Sequence, residues 1–158
     1  MFTDPMLLLG QALLQSEKSD EVNQLLSPLT NSLLMMPQGP QNLNDVYTVK
    51  TLLKLPYLQV DLHHWRQGIS TLPHNHGNST GKVIVISGEF YEQEYRADNI
   101  LSGPQTTKNH GQYSCIDVHP DKVHSLQSTG ERGLTLHIFN GPVLSLIHIS
   151  EPTRPFHI

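Results

Sequence analysis

The stretch GISTLPHNHGNSTGKVIVISG, residues 68–88, decides the fold of this chain. In an extended strand, residues i and i+2 point to the same face, so the imidazoles of His74 and His76 can reach one metal ion. The apolar, β-branched run 82–87 follows them and predicts a strand that turns at Gly88. The stretch therefore predicts a β-hairpin that carries two metal ligands.

Six further short segments have the same character as the run 82–87. They are rich in β-branched and aromatic residues, and Gly, Pro, Asn or Asp separates them. They are residues 47–53, 58–65, 90–95, 112–118, 123–127 and 134–139. Because no long helix intervenes, these short strands together predict a sandwich or a barrel. The polar stretch 96–110 contains Gly103-Pro104 and is predicted to be a long loop.

The chain that precedes the strands has a helical period instead. Leucines recur at helical spacing in residues 5–36, and Ser19-Asp20-Glu21 supplies a cap with acidic residues in the first turn. Two short helices are predicted there, and Pro37-Gln38-Gly39-Pro40 ends them. We therefore expect a helical cap in residues 1–44 and a β-barrel in residues 45–143.

The C-terminal string LSLIHISEPTR, residues 144–154, has a different origin. It looks like the in-frame translation of a transposase adaptor used to build sequencing libraries, and a processing scar of this kind is excluded from fold reasoning. We therefore expect residues 144–158 to be a non-native tail and the natural sequence to diverge near Val143. Two of the ten histidines, His148 and His157, lie in this tail.

Composition excludes several classes of function. The chain has 158 residues, with 10 lysines and arginines against 14 aspartates and glutamates, and a net charge of −4. It has no basic block, so nucleic acid is not a predicted partner. No segment reaches the roughly 18 apolar residues of a membrane span. Since one cysteine makes no internal disulfide and no thiolate cluster, we expect a cytoplasmic protein whose metal is held by imidazole or carboxylate. We also expect a monomer or weak dimer.

A third imidazole completes the candidate metal site. His124 lies in the predicted strand 123–127, which can cross the barrel to the first histidine pair. Three neutral imidazoles from two strands make a facial site with open coordination positions. We expect their nitrogens to converge to about 3 to 4 Å of one another, given metal–nitrogen bonds of about 2.1 Å.

The spacing of these residues is that of the first cupin motif. Five residues separate Gly68 from His74, and eleven separate His76 from Gly88. Most cupins carry a glutamate ligand where this chain has Gly81, which is also predicted to clear room beside the metal. The pattern therefore favours a three-histidine site over one with two histidines and a carboxylate.

The segments around the motif resemble the cysteine dioxygenase-like thiol dioxygenases of the cupin superfamily. The resemblance covers about residues 45–143 and rests on segments that follow in the same order. They are WRQG (65–68), HNHGNS (74–79), GEF (88–90), VHSL (123–126) and LHIF (136–139). The resemblance implies a mainly β fold, a cupin-type double-stranded β-helix with N-terminal α-helices.

The resemblance also implies the residues of the site. It implies Fe(II) as the cofactor on His74, His76 and His124, and catalytic roles for His137 and Tyr47. Small thiols and O2 are then the expected partners, and the product is a sulfinic acid that carries both oxygen atoms on sulfur.

The chain departs from the family at four positions. In place of the family's Ser-His-Tyr triad, this chain has Thr135, His137 and Phe139, so the tyrosine hydroxyl is missing. Val49 lies where the family has the arginine that binds the substrate carboxylate, and Gly81 replaces the cysteine of a thioether crosslink, as in bacterial members. Substrate identity is therefore less determined than metal binding.

Two alternatives stay open. A three-histidine iron cupin can oxidise carbon, as β-diketone dioxygenases do, and the missing arginine and tyrosine favour this chemistry. A non-enzymatic cupin would bind a metal or a small ligand as a sensor or structural module.

The remaining histidines have structural interpretations. His63 and His64 are neighbours on a strand, so one faces inward and one outward, and structural or surface roles are expected for both. His110 is predicted to be solvated in the loop, and His119 is a weaker rival of His124 as a ligand. Trp65 is predicted to pack in the barrel.

Overall fold

The computed structural model describes residues 4–37 and 47–140, in which three helices precede eight strands. The helices are α1 (Pro5–Gln15), α2 (Ser19–Leu26) and α3 (Thr30–Met35). The strands are β1 (Tyr47–Leu55), β2 (Leu58–Arg66), β3 (Thr80–Ser87), β4 (Phe90–Tyr95), β5 (Thr106–His110), β6 (Cys115–Val118), β7 (Val123–Ser128) and β8 (Arg132–Asn140). A short 3₁₀ turn, Ile100–Ser102, lies between β4 and β5.

The strands form two antiparallel sheets that face each other. The order is β1-β2-β8-β3-β6 in the five-stranded sheet and β5-β4-β7 in the three-stranded sheet. Since side chains alternate along a strand, the even-numbered residues of β2 and β8 pack beneath the helices and the odd-numbered ones face the other sheet. The five-stranded sheet is thus buried on both faces.

The helices cover the outer face of the five-stranded sheet. Helix α1 begins at Pro5, whose fixed φ suits a first helical position, and the Asp4 carboxylate accepts the Met6 N–H at 2.8 Å. Gly10 allows close approach, because a Cβ there would lie 3.1 Å from the Val60 side chain. The shared buried cluster consists of Leu13, Val22, Leu26, Leu33, Leu58, Val60, Leu62, Ile84, Ile86, Leu134, Leu136 and Ile138.

The space between the two sheets is the barrel interior. Its apolar cluster consists of Tyr47, Trp65, Ile69, Val83, Val85, Phe90, Ile116, Val118, Leu126 and Phe139. Trp65 is buried there, as predicted. Five histidines are buried in this part of the fold as well, namely His63, His74, His76, His124 and His137.

The predicted fold class is confirmed, but two predicted elements, the helices and the long loop, differ from the structure. Residues 5–36 form three helices and not two, because Pro28 follows the end of α2 and cannot donate the backbone hydrogen bond that would continue it. The predicted loop 96–110 contains strand β5, whose mostly exposed residues pair through the backbone with β4. An exposed edge strand needs no apolar face, so its sequence pattern is weak.

The predicted C-terminal tail, residues 144–158, lies outside the described residues. Among the residues that are described, no helix is long and apolar enough to cross a membrane.

Candidate metal centre

Three histidines converge at the wall formed by the three-stranded sheet. His74 and His124 exchange backbone hydrogen bonds of 2.9 and 3.0 Å, which places their imidazoles side by side. The candidate ligand nitrogens of His74, His76 and His124 lie within 4.8 Å of one another. This bound is wider than the predicted 3 to 4 Å, and all three side chains face inward as predicted.

The segment that carries His74 and His76 is not a regular strand, contrary to the prediction. His74 forms a single isolated bridge, and a turn follows His76. The Asn75 side chain accepts the Gly77 N–H at 3.0 Å, and Gly77 takes a positive φ of 61°, which suits glycine. The turn and the bridge, rather than strand alternation, therefore bring the two rings together.

Hydrogen bonds fix which nitrogen of two rings is available. The Nδ1–H of His74 donates to the Leu72 carbonyl at 2.7 Å, and that of His124 donates to the Glu92 carboxylate at 2.8 Å. In both rings the Nε2 lone pair is left for a ligand. The Nδ1 atom of His76 is buried and has no hydrogen-bond partner in the described part of the chain. The unpaired nitrogens of these three rings fit a metal ion.

Burial keeps the rings in the form that a metal requires. It lowers the pKa of His74 from 6.5 to about 3, with a smaller effect from His124. Burial also lowers the pKa of His76 to about 2, and the neighbouring histidines add to this effect. Because only a neutral imidazole binds a metal, both rings are ready as ligands at pH 7.

Glu92 is a site residue that the sequence reasoning missed. Its carboxylate is 1% exposed, yet it accepts hydrogen bonds from His124 at 2.8 Å and His110 at 2.9 Å and contacts Lys122 Nζ at 2.7 Å. Burial alone would raise the pKa of this carboxyl, but the three donors together lower it below its usual value. Glu92 therefore stays ionised and orients His124. Glu92 lies two residues after Phe90 on β4, so the two side chains face the same way. This alternation is the sequence signal that could have identified Glu92.

The position of the usual cupin glutamate is closed in this chain. A Cβ built on Gly81 would lie 2.0 Å from the Ile138 carbonyl oxygen and 2.8 Å from the Phe139 ring. The prediction that Gly81 clears room beside the metal is therefore wrong, because strand β8 fills that space. The Phe139 ring instead stacks on His76, with centroids 5.1 Å apart and an interplanar angle of 28°.

His137 and Tyr47 belong to a neutral network on the opposite wall. Trp65 Nε1–H donates to the Thr135 hydroxyl at 2.9 Å, and that hydroxyl lies 2.7 Å from His137 Nε2. His137 stacks on His63, with ring centroids 3.5 Å apart, and the Tyr47 hydroxyl bonds to His63 Nδ1. Both predicted catalytic residues thus lie in one network, to which the structure adds His63.

Burial keeps the two stacked rings uncharged. It lowers the pKa of His63 from 6.5 to about 3, and it lowers that of His137 well below the usual range. Neighbouring histidines add to both shifts, and His76 is among those that act on His137. A charge placed on His137 would therefore be disfavoured by a charge on His76, and both rings stay neutral.

The other histidines differ in their surroundings. His110 is not solvated in a loop, as was predicted, because it ends β5 and bonds to Glu92 and Ser114. His119 is exposed and lies outside the metal cluster. His64 is half-buried and follows His63 on the outward-facing side of β2, which fits the expected alternation.

Solved structures with similar folds include cupins. KdgF from Halomonas sp. superposes with a TM-score of 0.57 at 13% identity over 67% of this chain and 88% of its own. An RmlC-like cupin from Shewanella frigidimarina gives 0.56 at 14% identity over 69% and 88%. An uncharacterised conserved protein with a double-stranded β-helix domain from Klebsiella pneumoniae gives 0.54 at 16% identity over 82% and 92%.

At these identities the similarity establishes the cupin double-stranded β-helix fold. No protein-family model matches the chain, and no curated protein matches its sequence. A three-histidine cluster inside a cupin fold suggests a bound metal ion.

Proposed function

We propose that this protein is a mononuclear non-haem Fe(II) dioxygenase that converts a small thiol to a sulfinic acid. The observation that carries the proposal is the three-histidine cluster combined with the closed position at Gly81. Three neutral ligands leave the full charge of the ion to anionic substrate atoms, and a thiolate is such a group.

The chain's own residues have separable tasks in this reaction. His74, His76 and His124 would hold the ion, which supplies open positions for a thiolate and O2 and the redox chemistry between them. Glu92 orients His124 and places a negative charge behind it. On the opposite wall, the uncharged His137 and its partner Thr135 offer hydrogen bonds without competing for the metal.

The apolar residues near the centre favour a second candidate. Val49 packs against the interior cluster, and Phe139 covers His76. Neither side chain can bind a substrate carboxylate. A dioxygenase that oxidises the carbon of a β-diketone would use the same three-histidine ion and an uncharged substrate.

Metal analysis and oxygen uptake test the proposal. The protein is loaded anaerobically with Fe(II), its metal content is measured, and O2 consumption is followed with cysteine, 3-mercaptopropionate and acetylacetone. We expect about one iron per chain, thiol-dependent O2 uptake, and a product whose mass exceeds that of the thiol by two oxygen atoms.

Matched variants locate the activity. His76→Ala should abolish iron binding and turnover, whereas His119→Ala, which removes an exposed histidine outside the cluster, should leave both unchanged. If the protein bound iron but consumed O2 only with acetylacetone, the result would show oxidation of carbon and not of a thiol. Failure to bind iron would leave a non-enzymatic cupin.

A further inference from the structure

One buried ring nitrogen of the neutral network, that of His63, has no role in the proposed function. His63 is 3% exposed, and its Nε2 atom has no hydrogen-bond partner among the described residues. An unpaired buried polar nitrogen destabilises the fold, so such an atom calls for a partner from outside the chain. We propose that His63 Nε2 binds the uncharged polar end of a small substrate inside the barrel.

The surroundings of His63 make it a rigid ligand for such a group. The Tyr47 hydroxyl bonds to its Nδ1 atom, and the His137 ring stacks on one face at 3.5 Å and 10°. These contacts hold the imidazole plane, so the free Nε2 atom has a fixed position. A group that is held in advance binds with less loss of conformational entropy.

Its place in the fold directs His63 toward the candidate metal centre. His63 pairs with Val49 across β1 and with Thr135 across β8, and all three residues share the inward face. Its charge, if it were protonated, would act on His76, a candidate ligand. A substrate whose sulfur reached the ion would therefore extend its other end toward His63.

The charges around His63 favour a substrate whose far end, opposite the thiol, is uncharged. His63 is neutral at pH 7, and Val49 beside it offers no charge. Asp61, two residues earlier on the same face of β2, is a buried acidic group that disfavours a second carboxylate. Lys122, the cation that acts on His76, already contacts Glu92 at 2.7 Å. An amide or hydroxyl group fits this wall better than a carboxylate does.

This inference rests on the proposed thiol chemistry, and one binding experiment separates the two. The full-length protein is loaded with Co(II), and changes in its absorption on thiolate binding are titrated with 3-mercaptopropionamide and 3-mercaptopropionate. These probes share the thiol and the chain length and differ at the far end. We expect the wild type to bind the amide more tightly than the acid.

Two variants of β2 assign the preference to one nitrogen. His63→Leu should weaken amide binding about threefold to tenfold, the value of one hydrogen bond, and leave acid binding within about twofold. His64→Leu, its neighbour on the opposite face, should change neither affinity. His63→Gln retains an N–H group and should recover part of the amide affinity, and thermal melting confirms that each variant is folded.

The outcomes distinguish the two claims. Equal effects of His63→Leu and His64→Leu, or a glutamine variant no better than the leucine variant, would overturn the role of His63 and leave thiol binding intact. Equal binding of both probes by the wild type would indicate that a buried water satisfies Nε2, which also overturns the role. Absence of any shift in protein that holds Co(II) would overturn the thiol function and this inference with it.

Discussion

The two walls of the barrel interior place histidines in opposite electrostatic settings. On the three-stranded wall, His124 and His110 bond to an ionised carboxylate, Glu92, which also contacts Lys122. On the five-stranded wall, His63 and His137 stack as neutral rings. The carboxylate on the charged, three-stranded wall fixes the position of a candidate metal ligand, whereas the neutral, five-stranded wall offers hydrogen bonds from uncharged rings.

This difference follows from what each histidine contacts and not from how deeply it is buried. His124 is 2% exposed and His63 is 3% exposed, so both have lost nearly all contact with solvent. His124 bonds to a carboxylate that orients its ring, whereas His63 bonds to the uncharged Tyr47 hydroxyl. Each of the following predictions changes a residue on one of the two walls and measures stability or metal affinity.

The largest expected effect comes from placing a carboxylate on the neutral wall. Gly81→Glu puts a Cβ 2.0 Å from the Ile138 carbonyl oxygen, and a backbone atom cannot move aside cheaply. We expect a loss of more than about 4 kcal/mol in the free energy of unfolding, measured by urea denaturation. Gly111→Glu, at a position with nothing within 4 Å, should cost little. Equal stability of the two variants would contradict the closed position.

Removal of the charge from the other wall should weaken metal binding. Glu92→Gln keeps the shape of the side chain but gives up the carboxylate that orients His124. We expect about a 10- to 100-fold increase in the Kd for the metal, measured by competition with a chelator. Glu94→Gln, two residues later on the same strand and partly exposed, should have a much smaller effect. Wild-type metal affinity in the Glu92→Gln variant would show that the carboxylate does not contribute to metal binding.

The neutral network should contribute stability and not metal affinity. Thr135→Val removes the hydroxyl that bonds to Trp65 Nε1–H and His137 Nε2, so two buried nitrogens lose their partner. We expect the free energy of unfolding to fall by about 2 kcal/mol while the Kd for the metal stays unchanged. Thr107→Val on the exposed strand β5 serves as the control. A large change in metal affinity would show that the two walls are not independent.

Taken per pH unit, the smallest expected effect is the pH dependence that His63 confers. Its pKa is about 3 in the folded protein and 6.5 ordinarily, so below pH 6.5 the unfolded chain binds a proton that the native protein excludes. Stability therefore falls as the pH drops from 6.5, by up to about 1.4 kcal/mol per pH unit from this group. Unfolding of metal-free protein should show a shallower decline for His63→Gln and an unchanged one for His119→Gln. Parallel curves for all three proteins would contradict a buried, neutral His63.

Much of the candidate site could be predicted from the sequence, because histidines that can share one metal ion are recognised by their spacing. The interval between His74 and His76, and the position of His124 in a later strand, sufficed to predict that the three side chains meet. Glu92 could not be identified in the same way. An acidic residue in a polar strand usually lies at the surface, and only the pairing of β4 with β5 and β7 surrounds it with three donors.

The errors have the same physical origin. The sequence around Gly81 shows only a small residue, and the approach of β8, more than fifty residues later, decides that the space is filled. The polar neighbours of His110 in the chain predict a solvated side chain. Its partners in the structure are Glu92, on the neighbouring strand β4, and Ser114, which follows the turn after β5.

The sequence by itself determined the alternation that builds the two sheets, the helical period of the cap and the three imidazoles of the candidate centre. The alternation and the helical period depend on residues close together in the chain, where spacing relates directly to side-chain direction. The three imidazoles could be recognised from their spacing, although the long-range bridge between His74 and His124 brings them together. The tertiary structure decided which histidines contact a carboxylate, which remain neutral, and that no ligand fits at position 81. Those properties depend on desolvation and on partners from distant strands, and neither is encoded in local spacing.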